Sequence, residues 1–174
     1  MNEILNSLLS RRSVRSYTDE QVPDDLLDQV LTAGLYAASG MNTQGCVAVA
    51  VRDKETRDLL SKLNAAVMGS DSDPFYGAPC VIVVLGDPTV YGGWIYDGSL
   101  VMGNLMLAAH AMGVGSCWIH RAREVFDTDE GKAILRDLGI EGDYEGVGNC
   151  ILGYTEGEEP QAKPRKENWV YWAE

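Results

Sequence analysis

The sequence predicts one domain of mixed α and β structure, and three observations lead to this prediction. The chain of 174 residues has the length of a single domain. Its composition, 45% hydrophobic and 23% charged, is enough to build a sizeable core. Short apolar runs also alternate with segments of helical spacing, which by itself favours a doubly wound parallel sheet. Periodicity does not fix strand direction, so parallel and antiparallel sheets both stay open at this point.

The first half of the chain contains three predicted helices. Residues 2–9 place their leucines and isoleucine on one face. Pro23 opens the second helix, with Asp24 and Asp25 in the first turn, where the helix dipole favours negative charge. Residues 54–68 form the third.

Two more helices are predicted in the second half. Residues 96–112 are apolar nearly all round and rich in small residues, so we expect the central, buried helix there, ended by Gly113. Residues 128–138 form the last helix, closed by Gly139.

Four apolar runs predict strands, at 46–51, 80–85, 116–119 and 148–154. Three of the four cysteines begin or lie within strand-like runs, and no two cysteines form a C-x-x-C pair. We therefore expect buried free thiols and no metal site at Cys46, Cys80, Cys117 and Cys150.

Net charge narrows the choice of partners. With 26 acidic and 14 basic residues the chain carries −12, which disfavours nucleic acid and anionic membrane surfaces. The longest apolar stretch is too short and too polar to span a membrane. The first residues, MNEILNSLLSRR, lack the pattern of a signal peptide, so we expect a cytoplasmic protein.

Basic residues concentrate in two places of this acidic chain. Arg11, Arg12 and Arg15 fall within five residues, with the hydroxyl of Ser13 between them, and Lys163, Arg165 and Lys166 lie near the C-terminus. Arginine forks match phosphate geometry, so the two clusters form an anion site if they meet in space. The alternative is two solvated faces that interact with surplus carboxylates.

Side-chain chemistry for catalysis is scarce. We find no G-x-G-x-x-G after a strand, no Walker A sequence, no G-x-S-x-G element and no H-E-x-x-H. Only two histidines occur, and His110 lies within the apolar helix. A bound cofactor is therefore a natural carrier of any chemistry.

Four segments together resemble the nitroreductase-like flavoprotein family, and the ending resembles its short bacterial branch. They are RRSVRSY at 11–17, AASGMNTQ at 37–44, GVGSCWIH at 113–120 and KPRKENWVYW at 163–172. The similarity spans essentially the whole chain, residues 1–174, as one FMN-binding domain. It implies an α+β sandwich with a mostly antiparallel central sheet flanked by helices. It also implies an interlocked homodimer with FMN sites at the subunit interface.

The resemblance implies roles for the two basic clusters. Arg11 and Ser13 match contacts to the FMN phosphate and ribityl chain, and Arg15 matches the basic residue near the flavin pyrimidine. Arg12 contributes a main-chain or side-chain contact. Lys163 and Arg165 match a second phosphate-binding pair.

The loop at 37–44 matches the family's segment that crosses the dimer interface to the partner's flavin. The matching residues are Ser39, Gly40, Asn42 and Gln44, although relatives carry a small polar residue at position 40 and a proline where this chain has Ala38. Asn64 is a looser match to an amide that reads the pyrimidine edge.

The third segment passes the flavin ring in relatives, with a backbone N–H directed at N5. Trp118, Ile119 and His120 match it, and Cys117 lies beside it. His120 departs from the acidic residue or glycine of many relatives, so we expect a pocket-wall role. Trp118 is expected to be a core anchor.

The resemblance implies an FMN-dependent oxidoreductase that takes hydride from NAD(P)H and reduces a small electron-poor acceptor, such as a nitroaromatic or a quinone, by a ping-pong mechanism. No catalytic side chain is required. The alternatives are a flavin-binding sensor or storage protein with little NAD(P)H turnover, a specialised flavin reaction such as reductive dehalogenation, and an α/β domain with no cofactor. No inserted lid sequence supports the specialised reaction.

Overall fold

A computed structural model describes residues 2–173 of the chain. Over these residues the α-helices are α1 (Glu3–Ser10), α2 (Asp24–Leu35), α3 (Lys54–Met68), α4 (Trp94–Ala111), α5 (Ala122–Asp127) and α6 (Asp129–Asp137). The strands are β1 (Cys46–Val51), β2 (Cys80–Gly86), β3 (Gly115–Ile119) and β4 (Glu145–Gly153). A short 3₁₀ turn, Gly40–Asn42, precedes β1.

The four strands form one sheet in the order β1-β2-β4-β3, and every neighbouring pair is antiparallel. Ile82 pairs with Cys150 in the centre of the sheet, and Trp118 pairs with the same Cys150 from the other side. A register shift between Val84 and Leu85 marks a bulge in β2. The antiparallel α+β sandwich that the family resemblance implied is therefore confirmed, and the parallel arrangement is excluded.

Helices cover both faces of the sheet. The alternating side chains of β2 are buried on either side, with Val83 in one core and Ile82 in the other. The first core packs beneath α3, α5 and α6, and the second packs beneath α2 and α4. This burial on both faces explains why the run from Cys80 to Leu85 is apolar throughout, without the alternation typical of a half-exposed strand.

Local signals define the ends of α3, whose bounds agree with the sequence prediction. The Asp53 carboxylate accepts a hydrogen bond of 2.8 Å from the backbone N–H of Thr56, which caps the first turn. Gly69 ends the helix in the left-handed conformation, at φ 68°.

Three predictions need correction. Helix α5 was missed, because six residues carry too little periodicity, although Ala122, Val125 and Phe126 are buried at helical spacing. Helix α4 is not buried all round, since Tyr96 is 74% and Leu100 50% exposed. Of the cysteines, all free, three are buried while Cys46 is only half-buried, because it begins an edge strand.

Over residues 2–173, no helix combines the length and the apolar character that a membrane span requires.

Candidate functional site

The arginine-bearing segment at 11–17 lies along the edge of the sheet beside β3. Ser13 pairs in parallel with Ser116, and the backbone N–H of Val14 donates to the Ser116 carbonyl at 3.0 Å. The Tyr17 hydroxyl donates back to the Val14 carbonyl at 2.8 Å. Two of the sequence motifs, 11–17 and 113–120, are thus held side by side in one chain.

The arginine segment contacts β3 at one bridge and then turns toward the end of β4. Ser13 is level with Ser116 near the start of β3, whereas Tyr17 bridges Thr155, and the backbone N–H of Thr18 donates to the Tyr154 carbonyl at 2.9 Å. Arg11 and Arg15 therefore lie on either side of the Ser13 bridge along the chain.

One guanidinium nitrogen of Arg11, Nη1, is buried without a hydrogen-bond partner among the described residues. Arg12, in contrast, donates to the carbonyls of Leu9 and Arg11 at 2.8 and 2.7 Å, so it closes the end of α1. A buried donor without an acceptor is costly, and the site at Arg11 Nη1 therefore suits an anion such as a phosphate.

At the other end of β3 a cleft of about 370 Å³ opens. Its wall includes Arg15, Trp118, Ile119 and His120, all expected from the sequence, together with Arg121. The Trp118 and His120 rings lie 6.0 Å apart, centroid to centroid, and are tilted by 40°. Aromatic surface beside cationic groups suits a flat ring whose edge carries negative charge.

Two buried amides hold the turn that follows β3. Asn64 is fully buried; its Nδ2 donates to the His120 carbonyl at 2.8 Å, and its Oδ1 accepts from Arg121 Nε at 2.9 Å. Asn149 Nδ2 donates to the Ile119 and His120 carbonyls, both at 3.3 Å. Neither Asn149 nor Arg121 was predicted from the sequence. A polar residue inside the apolar run GVGNCILG was an available signal for Asn149.

The loop that carries Ser39, Gly40, Asn42 and Gln44 borders a different cleft. That cleft, about 600 Å³, is bounded by α2, α4 and the loop and includes Ser39 and Gln44. Ser39 Oγ accepts from the Gln44 backbone N–H at 3.2 Å, and Gln44 Nε2 donates to Asn42 Oδ1 at 3.2 Å. None of the loop residues lines the cleft beside β3. Within a single chain, the loop motif at 37–44 therefore lies apart from the motifs at 11–17 and 113–120.

The space around Gly40 explains the departure at that position. A Cβ added to Gly40 would overlap the aromatic ring of Tyr91. The ring of Tyr91 thus occupies the place that a small polar side chain would take, and glycine at position 40 accommodates it.

The tail beyond Gly153 starts beside the arginine segment and then leaves it. The backbone N–H of Glu156 donates to the Ser16 carbonyl at 3.0 Å. Lys163 and Arg165 are exposed and form no salt bridge or hydrogen bond within the described chain. Their convergence with Arg11 stays a prediction.

Cys117 faces the core. Its side chain is 1% exposed and belongs to the core beneath α3, α5 and α6. A contact from this position to a ligand in the cleft would come from the backbone. The residues described here contain no group of three or more His, Cys, Asp or Glu side chains that could hold a metal ion.

Comparison with known proteins gives consistent matches over most of the chain. The model of the Nitroreductase family matches residues 8–70 and 65–154. A protein of Archaeoglobus fulgidus is 33% identical over 163 residues, which cover 91% of this chain and 88% of that protein; it carries a provisional name as an NADH dehydrogenase/NAD(P)H nitroreductase. An FMN reductase [NAD(P)H] of Bacillus subtilis is 30% identical, over 71% of this chain and 56% of its own length.

Solved structures give the same result. A nitroreductase with bound FMN from Bacteroides fragilis superposes with a TM-score of 0.91 at 30% identity, and the match covers 100% of both chains. A nitroreductase with bound FMN from Desulfitobacterium hafniense superposes with a TM-score of 0.88 at 28% identity, covering 99% of this chain and 100% of that one.

Proposed function

This chain belongs to the nitroreductase family, and from that premise we propose that it is an FMN-dependent oxidoreductase which carries hydride from NAD(P)H to a small electron-poor acceptor. One observation carries the proposal. The bridge of Ser13 to Ser116 places the arginine segment, with the buried and unpaired Nη1 atom of Arg11, beside the same strand whose C-terminal end borders a cationic, aromatic cleft. Two similar solved structures are nitroreductases with bound FMN, and a similar Bacillus subtilis protein is an FMN reductase that uses NAD(P)H, which supports the same chemistry.

The residues present fit FMN. A phosphate would satisfy Arg11 Nη1, which has no partner among residues 2–173. Ser13 lies two residues along the same extended segment and would hold the ribityl chain. The ring system would lie in the cleft against Arg15 and the segment from Trp118 to His120. Lys163 and Arg165 would add to the phosphate contacts from the tail.

The chemistry comes from the cofactor, and the protein provides its surroundings. When bound, FMN would supply hydride transfer in two half-reactions, from NAD(P)H and then to a nitroaromatic, quinone or similar acceptor, and ping-pong kinetics would follow. Arg15 would stabilise negative charge at the ring edge through a fixed guanidinium. The buried amides of Asn64 and Asn149 keep the backbone from Ile119 to His120 in place.

We further propose a homodimer. Helix α4 exposes Ile95, Tyr96 and Leu100, an apolar face that single-chain packing leaves uncovered. The loop at 39–44, separate from the β3 cleft of its own chain, would complete the cleft of the partner. The outer edge of β1 pairs with no strand among residues 2–173, and the exposed aromatic run at 169–172 of the tail would suit a strand added to another sheet.

We also propose the domain organisation and the cellular location of the protein. We expect residues 1–174 to form one FMN-binding domain, because both cores share the central strand β2. We also expect a cytoplasmic protein, since free thiols persist in a reducing compartment.

The visible absorption spectrum of the purified protein tests the function. Yellow flavin bands that bleach anaerobically with NADH or NADPH are the expected result, and the faster nucleotide is the preferred donor. Bands that persist with both nucleotides would favour the alternative role of flavin sensor or store. A colourless protein that FMN does not reconstitute would contradict the proposal. Light scattering on the eluted protein tests the dimer, for which the expected mass is twice that of the 19.0 kDa chain.

A further inference from the structure

Arg121 has a backbone conformation that is unusual for an arginine. It lies in the left-handed region at φ 74°, which glycine and asparagine adopt easily and which is unfavourable for a long side chain. The residue nevertheless extends into the cleft beside β3, where Arg15 lies as well.

Asn64 contacts both the Arg121 side chain and the backbone carbonyl just before it. The Asn64 carbonyl oxygen accepts from Arg121 Nε at 2.9 Å, and its amide nitrogen donates to the His120 carbonyl at 2.8 Å. Neither Nη atom of Arg121 makes a hydrogen bond or salt bridge to any described residue. The side chain is therefore held at Nε with its two outer nitrogens unpaired.

The cleft is cationic although the chain carries −12. Arg15 and Arg121 both line it, and its one acidic side chain is Asp73. The Asp73 carboxylate is already paired with Arg57 at 2.5 Å and with the Ser61 hydroxyl at 2.5 Å. It is therefore not free to neutralise either arginine, and the cleft favours a ligand edge that carries negative charge.

We propose that Arg121 is a second cationic ligand of the flavin ring, alongside Arg15, and that Asn64 is a positioning residue that acts through Arg121. The proposal rests on the proposed function, because the flavin is the ligand. It changes the role expected for Asn64, which is fully buried and is not among the residues that line the cleft.

The first test compares two substitutions in the full-length protein, each of which replaces an arginine by glutamine and so removes one positive charge. R121Q removes the cleft guanidinium, and R136Q removes one from an exposed position of α6 that makes no ion pair within residues 2–173. The readouts are the FMN dissociation constant, from quenching of flavin fluorescence, and the midpoint potential of the bound flavin. We expect R121Q to weaken FMN binding by about 10- to 100-fold, the range for hydrogen bonds to a charged group. We expect its midpoint potential to fall, because negative charge on the reduced ring loses a counterion, while R136Q changes neither readout.

The second test addresses Asn64. N64A should weaken FMN binding in the otherwise unchanged chain and have little further effect in the R121Q background, because both changes remove the Asn64–Arg121 hydrogen bond and Asn149 still holds the His120 carbonyl. Full additivity would overturn the positioning role and return Asn64 to the ligand. Circular dichroism checks the fold of each variant, and the comparison of R121Q with R136Q decides the role of Arg121 even if N64A does not fold.

These experiments distinguish an error in the role of Arg121 from an error in the proposed FMN-dependent function. If the unchanged protein does not bind FMN, both fall. If it binds FMN and R121Q matches R136Q in affinity and potential, the role of Arg121 is wrong and the function stands. If R121Q raises only the KM for anionic acceptors, Arg121 contacts the acceptor, and a flavin contact is overturned.

Discussion

The carboxylate of Asp97 accepts a hydrogen bond of 2.9 Å from the backbone N–H of Gly40. Asp97 lies in the first turn of α4 and is 6% exposed. The bond ties the loop at 39–44 to the helix whose apolar face we assign to the dimer. Met41, Asn42 and Gln44 in this loop all have positive φ, so its shape depends on such external contacts.

Replacement of Asp97 should therefore loosen the loop. D97A removes the carboxylate acceptor of a partly buried N–H and should destabilise the protein by about 1–3 kcal/mol, whereas D97N keeps an oxygen of the same shape and should cost less than half of that. Urea unfolding gives the free energies, and limited proteolysis reports cleavage within the loop. Equal stability of D97A and the unchanged protein would show that the bond contributes nothing.

The contact of Gly40 with Tyr91 predicts an intolerance to any side chain at position 40. G40A should destabilise the protein by about 1–3 kcal/mol, because the new methyl overlaps the Tyr91 ring and forces it to move. G92A is the matched control, since a Cβ at that exposed glycine meets nothing within 4 Å. Y91A should restore much of the stability in the G40A background, and a failure to do so would place the strain elsewhere.

Local pattern was enough to predict the elements whose determinants are near in sequence. The bounds of β1 and α3 agree with the prediction, because β-branched residues, the Asp53 cap and Gly69 all act within a few residues. Strand direction was not accessible from periodicity, which is the same in parallel and antiparallel sheets. It followed only from resemblance.

In the candidate site, too, local features were predictable from the sequence and long-range contacts were not. Arginines and aromatic residues were recognisable as types, so Arg15 and Trp118 were expected at the cleft. The pair Asn64–Arg121 joins residues 57 positions apart, and such a pair is determined by how α3 packs against the end of β3. No spacing rule encodes that distance, which is why Arg121 was missed.

Arg15 allows a direct test of the cofactor site. R15A should weaken FMN binding and slow reduction of the flavin by NAD(P)H, since it removes a cation from the cleft wall. We expect about a 10-fold or larger loss of affinity, the lower end of the range for a charged hydrogen bond. Fluorescence titration and anaerobic stopped-flow absorbance measure the two effects. Unchanged flavin occupancy and rate would remove Arg15 from the site.

Cys46 is expected to be a slow nucleophile. Burial, and secondarily the negative charge of Asp97, raise the pKa of its thiol to about 11. The reactive thiolate is then scarce at pH 7, so alkylation by iodoacetamide should be slow and should accelerate as the pH rises toward 11. D97N should increase the rate at fixed pH. Mass spectrometry with C46S as control identifies the site, and rapid labelling of Cys46 at pH 7 would contradict the raised pKa.

Asp73 should make the fold sensitive to acid. Burial raises the pKa of its carboxyl, but hydrogen bonds from Ser61, Arg57 and two backbone N–H groups outweigh burial and leave the pKa below its usual value. A carboxyl whose pKa is lower in the folded state stabilises the fold above its unfolded pKa of about 3.9, and this stabilisation is lost as the pH falls through the folded value.

D73N should therefore destabilise the protein at pH 7 by about 1–2 kcal/mol, a figure reduced from that of a buried pair because the side chain is partly exposed. The deficit should shrink below about pH 4, where the unchanged protein also loses its charged partner for Arg57. D71N removes the same charge from an exposed neighbour with no hydrogen bond within residues 2–173. Urea unfolding of the three proteins between pH 2 and 7 measures the difference, and parallel curves for D73N and D71N would show that the contacts of Asp73 do not stabilise the fold.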